Sequence, residues 1–307
     1  MKVIASSDNR IYKAAVQLKL KKYRDEQMKY LIEGTNLIKE ALRNGGEIET
    51  FIFSEDYGSQ AGMDHDASSE AFDTVKEAEH AAERSGASII GLTSQLFRKL
   101  SDTETPQGIM AVVKKQALGE TEFFGSKYNL DYRNQKDENS IPAGQSGEGK
   151  RFAPSNVVIL DRLQDPGNIG TILRTADAAG YLGAILLKGT ADIYSPKIVR
   201  AAAGSLFRLP VFMTETPGQT IDLLRKHKKK IVCTALNTDH YYYDVNLAQD
   251  AAVIIGNEGN GVCREFLTES DLQVKIPMEG TIESLNAAVA AGILMYESVR
   301  QQYQRSL

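Results

Sequence analysis

The chain is poor in the residues that build covalent and metal scaffolds. It has two cysteines, Cys233 and Cys263, and four histidines, His65, His80, His227 and His240. Two distant thiols supply neither a zinc-ligand spacing nor a disulfide framework. Cys233 lies in the apolar run Ile231-Val232-Cys233, where a buried, inert thiol is expected. The histidines show no ligand spacing, so no metal is expected and surface positions suit them. No apolar run is long enough to cross a membrane. The first residues, MKVIASSDNR, lack the hydrophobic core of a signal peptide. The expectation is a cytoplasmic protein without a membrane partner. Excess positive charge is missing too. With 36 Lys and Arg against 40 Asp and Glu, the formal net charge is −4. A nucleic acid would therefore have to be held by a local basic patch and not by the charge of the whole chain.

What is present is ordinary globular material. With 42% hydrophobic and 25% charged residues over 307 positions, the chain can bury two sizeable cores. Lys13–Tyr30 reads as one basic helix with Lys19, Lys21, Lys22 and Arg24 clustered. A solvated helix face is the ordinary explanation and a contact with RNA phosphates the functional one. Strand patterns follow at Tyr30–Gly34, Ile48–Phe53, Ser88–Leu92 and Gly108–Lys114. Helical patterns lie between them at Asn36–Arg43, Ala71–Arg84 and Ser94–Leu100. This is a small α/β unit. From Leu118 to Ser155 the pattern fails. Asp131–Lys150, DYRNQKDENSIPAGQSGEGK, has no apolar period and cannot supply a core, so it reads as a linker or mobile insertion. After Ser155, strands at Val157–Leu160, Ala184–Leu187, Leu209–Met213, Ile231–Leu236, Ala252–Gly256 and Val274–Pro277 alternate with helices at Ile169–Ala179, Ser195–Ala203 and Ile221–Lys230. That order predicts a parallel sheet covered on both faces. The expected divisions are 1–117, a linker over 118–155, and 156–307.

Three stretches sit where strands end and turns begin, which is where open α/β sheets place ligands. The first is LQDPGNIGTILR, Leu163 to Arg174, with Asn168 as a natural N-cap and Arg174 on the helix that follows. The second is IGNEGNGV, Ile255 to Val262. Its glycines expose backbone N–H groups to a ligand. It lacks the Gly-Lys-Ser/Thr of a P-loop and the spacing of a dinucleotide fingerprint. The third runs from Leu272 to Tyr296. Pro277 ends a strand, Ser284 is a plausible N-cap, and a helix from Leu285 carries the small residues Ala287, Ala288, Ala290, Ala291 and Gly292. Each stretch alone has a bland explanation as a turn, a surface arginine or a tightly packed helix.

Together and in this order, DPGNIGTILRTADAAG, IIGNEGNGV and IPMEGTIESLNAAVAAGILMYE resemble the SpoU (TrmH-like) family of the SPOUT RNA methyltransferases. The N-terminal part, SSDNRIYKAAVQLKLKKYRDEQMKYLIEGTNLIKEAL, is similar to the L30e-like substrate-binding domain that often precedes the catalytic one. The resemblance implies an α/β fold with a parallel-sheet methyltransferase domain, a C-terminal trefoil knot and an S-adenosyl-L-methionine (AdoMet) pocket in the knotted loops. By matching position the cofactor contacts are Gly256, Ile276 and Leu285, with Leu236 ending its strand at the same sheet edge. It also implies a homodimer with the active site near the subunit interface. The implied reaction is methyl transfer to a ribose 2′-OH, in rRNA before tRNA. Base methylation, or RNA binding without transfer, are the other readings. Arg174, Asn168, Glu258, Ser284 and Asn286 match the polar motif positions. A guanidinium presents donors only, so Arg174 suits holding the RNA phosphate and stabilising charge on the 2′-oxygen. Asn168 and Asn286 would orient the ribose and Arg174. Glu258 would fix a loop, pair with a cation, or accept the proton. Ser284 would take part in the chemistry, cap its helix, or do both.

Overall fold

The computed structural model describes residues 2–57, 65–125, 154–282 and 284–305, with backbone alone at 65–72 and 305. The polar segment Asp131–Lys150 lies outside the described residues. The chain forms two compact units. One comprises Met1–Gln116 with Asp192–Phe207, the other Ala117–Ala191 with Arg208–Leu307.

The first unit is built on five strands: β1 (Lys2–Ile4), β2 (Lys29–Glu33), β3 (Ile48–Ser54), β4 (Ser88–Leu92) and β5 (Ile109–Lys114). Their order is β1-β4-β3-β5-β2. The pairs β1/β4 and β3/β4 are parallel, and β3/β5 and β2/β5 antiparallel. Successive side chains of a strand point to opposite faces. Phe51 and Phe53 accordingly join one core, with Ile38, Ala41, Val199 and Phe207. Ile52 joins the other, with Leu92, Leu96 and Phe97. Both faces of the sheet are thus covered.

The expected single helix Lys13–Tyr30 is two helices, α1 (Arg10–Gln17) and α2 (Lys21–Gln27). The break has a visible cause. Arg24, only 4% exposed, donates from Nη1 to the carbonyl oxygens of Leu18 and Lys19, both at 2.7 Å. Those are the carbonyls a continuous helix would use. Arg24 also pairs with Asp192 at 2.6 Å. Lys19 pairs with Asp102, Lys21 with Asp25 and Lys22 with Glu26. The basic run is a neutralised, partly structural feature. The helices α3 (Thr35–Arg43) and α5 (Ser94–Leu100) follow the expected pattern, while α4 (His65–Ser85) starts six residues before the expected Ala71.

The second unit carries a six-stranded, wholly parallel sheet: β6 (Val157–Leu160), β7 (Gly183–Leu187), β8 (Val211–Thr214), β9 (Lys230–Thr234), β10 (Ala251–Ile255) and β11 (Leu272–Val274). The order is β11-β9-β10-β6-β7-β8. Every residue of β6, β7 and β10 is buried, as their unbroken apolar runs require of central strands. Two short helices were not legible in the sequence. The helix α6 (Glu120–Gly125) lies in the patternless stretch, where Phe123 is fully buried. Its ring occupies the space above Gly183, where an added Cβ would come within 2.5 Å of it. The other, α10 (Arg264–Glu269), buries Phe266. The remaining helices are α7 (Pro166–Ala178), α8 (Pro196–Ala201, in the first unit), α9 (Pro217–Lys226) and α11 (Ala287–Arg305). The helix α9 starts four residues before its apolar pattern, because Thr216 caps it through the N–H of Gln219 at 3.2 Å, with Pro217 as its first residue.

Candidate functional site

The sheet order changes direction between β6 and β10, the place where a parallel sheet opens a crevice at its carboxyl edge. Both of the first two motifs start there. Asp161, the residue after β6, is fully buried. Its N–H donates to the Ile255 carbonyl at 2.9 Å. Its carboxylate accepts the Cys263 N–H at 2.7 Å and Arg162 Nε at 2.8 Å. Arg162 takes a left-handed φ of 58°. Its carbonyl then accepts the side-chain amides of Asn257 at 2.9 Å and Gln164 at 3.0 Å. These contacts lock the loop after β10 to the loop after β6.

The Gly-rich loop itself doubles back. Asn257 and Gly261 exchange backbone hydrogen bonds of 3.0 and 2.8 Å. A Cβ on Gly256 would lie 2.2 Å from the Gly261 carbonyl carbon and the Val262 nitrogen. Glycine is required at 256 by this close backbone approach.

The helix α7 is capped by Asp165, whose carboxylate accepts the Asn168 N–H at 2.8 Å. Asn168 is therefore not the N-cap that the sequence suggested. It stands inside the first turn, with its side chain free for other partners. Asn168 Nδ2 donates to Glu258 Oε1 at 3.2 Å. Its Oδ1 accepts from Asn286 Nδ2 at 2.8 Å. Asn286 Oδ1 in turn accepts the N–H groups of Ala288 at 2.9 Å and Val289 at 3.3 Å. Asn286, and not Ser284, caps the last helix, which begins at Ala287 instead of Leu285. Ser284 is exposed and, among the described residues, makes no hydrogen bond. One residue from each motif thus enters a single relay, Glu258–Asn168–Asn286. An ionised carboxylate only accepts, so Asn168 must turn its NH2 toward Glu258 and its oxygen toward Asn286.

Glu258 also accepts the backbone N–H groups of Gln164 at 3.1 Å and Asp165 at 3.0 Å. Partial burial pushes its pKa up, but its own N–H, those of Gln164 and Asp165 and the Asn168 amide outweigh burial and hold it below the ordinary carboxylate value. The carboxylate ties the Gly-rich loop to the start of α7.

Arg174 stays outside this network. Six positions along α7 from Asn168 turn it about 240° around the helix. It is exposed and has no hydrogen-bond or ion-pair partner among the described residues. Neither Asn168 nor Asn286 holds it within this chain.

The apolar positions gather at the same edge of the sheet. Register sets Cys233 beside Ile254 and Thr234 beside Val274. The chain therefore leaves β9, β10 and β11 together, carrying Leu236, Gly256 and Ile276. Leu236 is 66% exposed, and Ile276, Leu285 and Gly256 are partly exposed. Among the described residues no group of three or more His, Cys, Asp or Glu could hold a metal. No helix there is long and apolar enough to cross a membrane. Cys233 is buried, as expected, and burial pushes its thiol up to about 12.

Sequence reasoning missed Asp161, Asp165 and Asn257. Two signals were there to find. Asp165-Pro166 is a cap residue followed by proline at the first helical position. Asp161 is a carboxylate ending a wholly apolar run, which has to find donors if it is buried.

Comparison with known proteins agrees with this geometry. The SpoU rRNA Methylase family matches residues 155–296. The MRM3-like substrate binding domain matches residues 9–111. The 23S rRNA (guanosine(2553)-2′-O)-methyltransferase RlmP of Bacillus subtilis (strain 168) is 32% identical over 296 residues, covering 96% of this chain and 98% of the relative. The AdoMet-bound rRNA methyltransferase from Sinorhizobium meliloti superposes with a TM-score of 0.76 at 27% identity, covering 98% of each chain. The SpoU methyltransferase AviRb from Streptomyces viridochromogenes, in complex with AdoMet, gives 0.72 at 27% identity, covering 96% of this chain and 100% of that one. Three motifs joined through Glu258, Asn168 and Asn286, and a relative matched along nearly its whole length, make this chain a member of the SpoU rRNA methylase family.

Proposed function

We propose that the protein transfers a methyl group from S-adenosyl-L-methionine to a ribose 2′-OH of RNA, with rRNA as the substrate class ahead of tRNA. The observation that carries this reading is the relay Glu258–Asn168–Asn286, which unites the three motifs at the direction change of the parallel sheet. RlmP, named as an rRNA 2′-O-methyltransferase, and the Sinorhizobium meliloti rRNA methyltransferase support the substrate, and the latter and AviRb, both with AdoMet bound, support the cofactor.

The residues present suit the cofactor. Leu236, Ile276 and Leu285 offer apolar side chains that are not sealed in the core, and Gly256 leaves backbone bare beside them. That combination fits a flat purine with a polar edge. Bound there, the cofactor supplies an electrophilic methyl carbon on a sulfonium. The protein's task is then to bring a 2′-oxygen in line with that carbon. Arg174, without a partner among the described residues, is available to hold the RNA phosphate and stabilise negative charge growing on the 2′-oxygen. Asn168 and Asn286 fix each other and the start of the last helix. Glu258, saturated with donors and shifted down, serves as the loop tie and is a poor proton acceptor. Polarisation of the 2′-OH by the guanidinium is the activation we propose, with the hydroxyl proton passing to solvent water as the oxygen–carbon bond forms and the sulfur–carbon bond breaks. Ser284 offers a solvent-facing hydroxyl beside the helix start.

The finer architecture belongs to the same proposal. The loop after β10 pinned by Asp161 and folded back at Gly256 supports a C-terminal trefoil knot. The placement of Arg174 on another face of α7 from Asn168 supports a homodimer in which the guanidinium completes a site across the interface. The first unit acts as an L30e-like RNA-binding domain, and the enzyme works in the cytoplasm.

The test uses labelled AdoMet, the purified protein and unmodified rRNA, followed by alkaline hydrolysis. A 2′-O-methyl group blocks alkaline cleavage, so label is expected in alkali-resistant dinucleotides. Label in mononucleotides would overturn ribose methylation in favour of a base. Arg174→Ala should abolish transfer with AdoMet affinity nearly intact. Full activity in that variant would refute the role given to Arg174.

A further inference from the structure

The loop after β9 carries three consecutive tyrosines, Tyr241, Tyr242 and Tyr243, which the proposed chemistry does not use. The rings of Tyr241 and Tyr243 are stacked, with centroids 5.4 Å apart and planes 11° from parallel. Tyr242 stands edge-on to Tyr243 at 5.0 Å. The Nζ of Lys275 lies 5.1 Å from the centroid of Tyr241. The backbone beneath them is fixed. Tyr241 bridges to Lys275 in parallel register. The Tyr242 N–H donates to the Lys275 carbonyl, and the Lys275 N–H to that of His240, both at 3.0 Å. This zip ends one residue before Ile276, at the edge assigned to the cofactor.

Tyr243 is 46% exposed. None of the three rings belongs to the core cluster that Phe123, Ile185 and Phe266 form in this unit. None of their hydroxyls makes a hydrogen bond among the described residues. Aromatic side chains normally reach low exposure by packing inward. Here they pack on each other and leave a face open.

We propose that Tyr243, backed by Tyr241 and Lys275, is a stacking platform for an unpaired nucleobase of the substrate RNA beside the methylated ribose. The inference rests on the RNA-methyltransferase reading and adds how the substrate strand is gripped. An aromatic face takes any base, because every base has a π surface. The Lys275 ammonium adds attraction for the neighbouring phosphate. The stacked rings and the backbone zip are set before binding, so little freedom is lost when a base arrives. The patch is also too polar for a protein-docking surface. The charged groups near the stack are Asp244 and Glu279, which act on Tyr243, and Lys275, which stands over Tyr241, whereas an interface core is depleted of charge.

The experiment measures rRNA binding, AdoMet binding and methyl transfer in Tyr243→Ala and Tyr243→Phe, using unmodified rRNA transcribed in vitro. Tyr243→Ala should weaken rRNA binding and raise KM for rRNA at least fivefold, with kcat at saturating RNA and AdoMet affinity unchanged. Tyr243→Phe, which keeps the ring, should match the natural protein. Unchanged rRNA binding in Tyr243→Ala overturns the platform. Equal loss in both variants overturns it too, since the hydroxyl and not the ring would then be at work. A change in oligomeric state on sedimentation assigns the patch to a second copy and overturns it as well. If the natural protein binds rRNA through Tyr243 but transfers no methyl group, the activity fails and the platform stands.

Discussion

Replacing Gly256 by alanine puts the geometry of the Gly-rich loop to its sharpest test. The added Cβ would lie 2.2 Å from the carbonyl carbon of Gly261 and the nitrogen of Val262, where ordinary contact begins at 3.4 Å. Both neighbours are backbone, so no side chain can swing away, and one strand of the loop must retreat by more than an ångström. Overpacking of this kind costs roughly 1–3 kcal/mol. The retreat also breaks the two hydrogen bonds between Asn257 and Gly261, each worth roughly 0.5–1.5 kcal/mol. The total is about 2–6 kcal/mol. For a unit of this size that lowers the midpoint of thermal unfolding by on the order of 10 °C. The assay is calorimetry of the full chain, with AdoMet binding measured on the folded variant. Gly218→Ala is the control, because nothing lies within 4 Å of its added Cβ. There alanine should be neutral or stabilising by about 0.5 kcal/mol. If Gly256→Ala unfolds at the natural temperature and binds AdoMet with natural affinity, the close approach at residue 256 does not govern the loop and the argument fails.

Three further outcomes follow from the contacts described. Glu258→Gln should destabilise the second unit by about 1 kcal/mol, because an amide cannot accept every donor the carboxylate takes. Since the folded pKa of Glu258 is depressed, its contribution is fully present above the ordinary carboxylate range and is lost as pH falls through the folded value. The stability gap between the natural protein and Glu258→Gln should therefore shrink below about pH 4, and a gap that stays constant from pH 7 to pH 3 would contradict it. Arg24→Ala strips the ion-pair partner from Asp192 and a donor from the buried Leu18 and half-buried Lys19 carbonyls, so the first unit should lose about 3–5 kcal/mol in denaturant titration; a loss under 1 kcal/mol would show that Arg24 does not hold the break between α1 and α2. Burial pushes Cys233 up to about 12 and Cys263, which is half-buried, up to about 11, so at pH 8 about one thiol in a thousand or fewer is ionised; Cys233 should resist an aromatic disulfide reagent until the chain is unfolded, with Cys263 slow to react, and rapid labelling of Cys233 in the folded protein would refute its burial.

The central strands were legible because β6, β7 and β10 are buried on both faces and must be apolar at every position. The three motifs were legible as strand-to-turn junctions for the same reason. Their internal wiring was not. In Asp165-Pro166-Gly167-Asn168 two residues are competent caps, and the choice between them depends on proline preferring the first helical turn. Ser284 and Asn286 posed the same ambiguity, resolved by which side chain reaches the N–H groups of Ala288 and Val289. Arg24 was hidden inside a charge run, since the run does not show that one guanidinium turns inward to end a helix. The helix α6 escaped because six residues are too few for a period. Phe123 is defined by the space above Gly183, sixty residues away in the chain. A glycine at 256 announces a close approach, but the sequence alone does not say which backbone approaches.

The membership of Asp192–Phe207 in the first unit bears on how the protein is made. Val199 and Phe207 complete the core that Phe51, Phe53 and Ile109 begin, and Asp192 answers the charge of Arg24. A ribosome that has released the first 116 residues has not yet delivered these groups. They emerge roughly ninety residues later, a delay of about 5–20 s at ordinary elongation rates. During that interval the five-stranded sheet waits with one side of its core open and Arg24 unpaired. The first unit therefore closes only after the leading strands of the second have been synthesised. A fragment cut after Gln116 would keep the sheet but lack its seal.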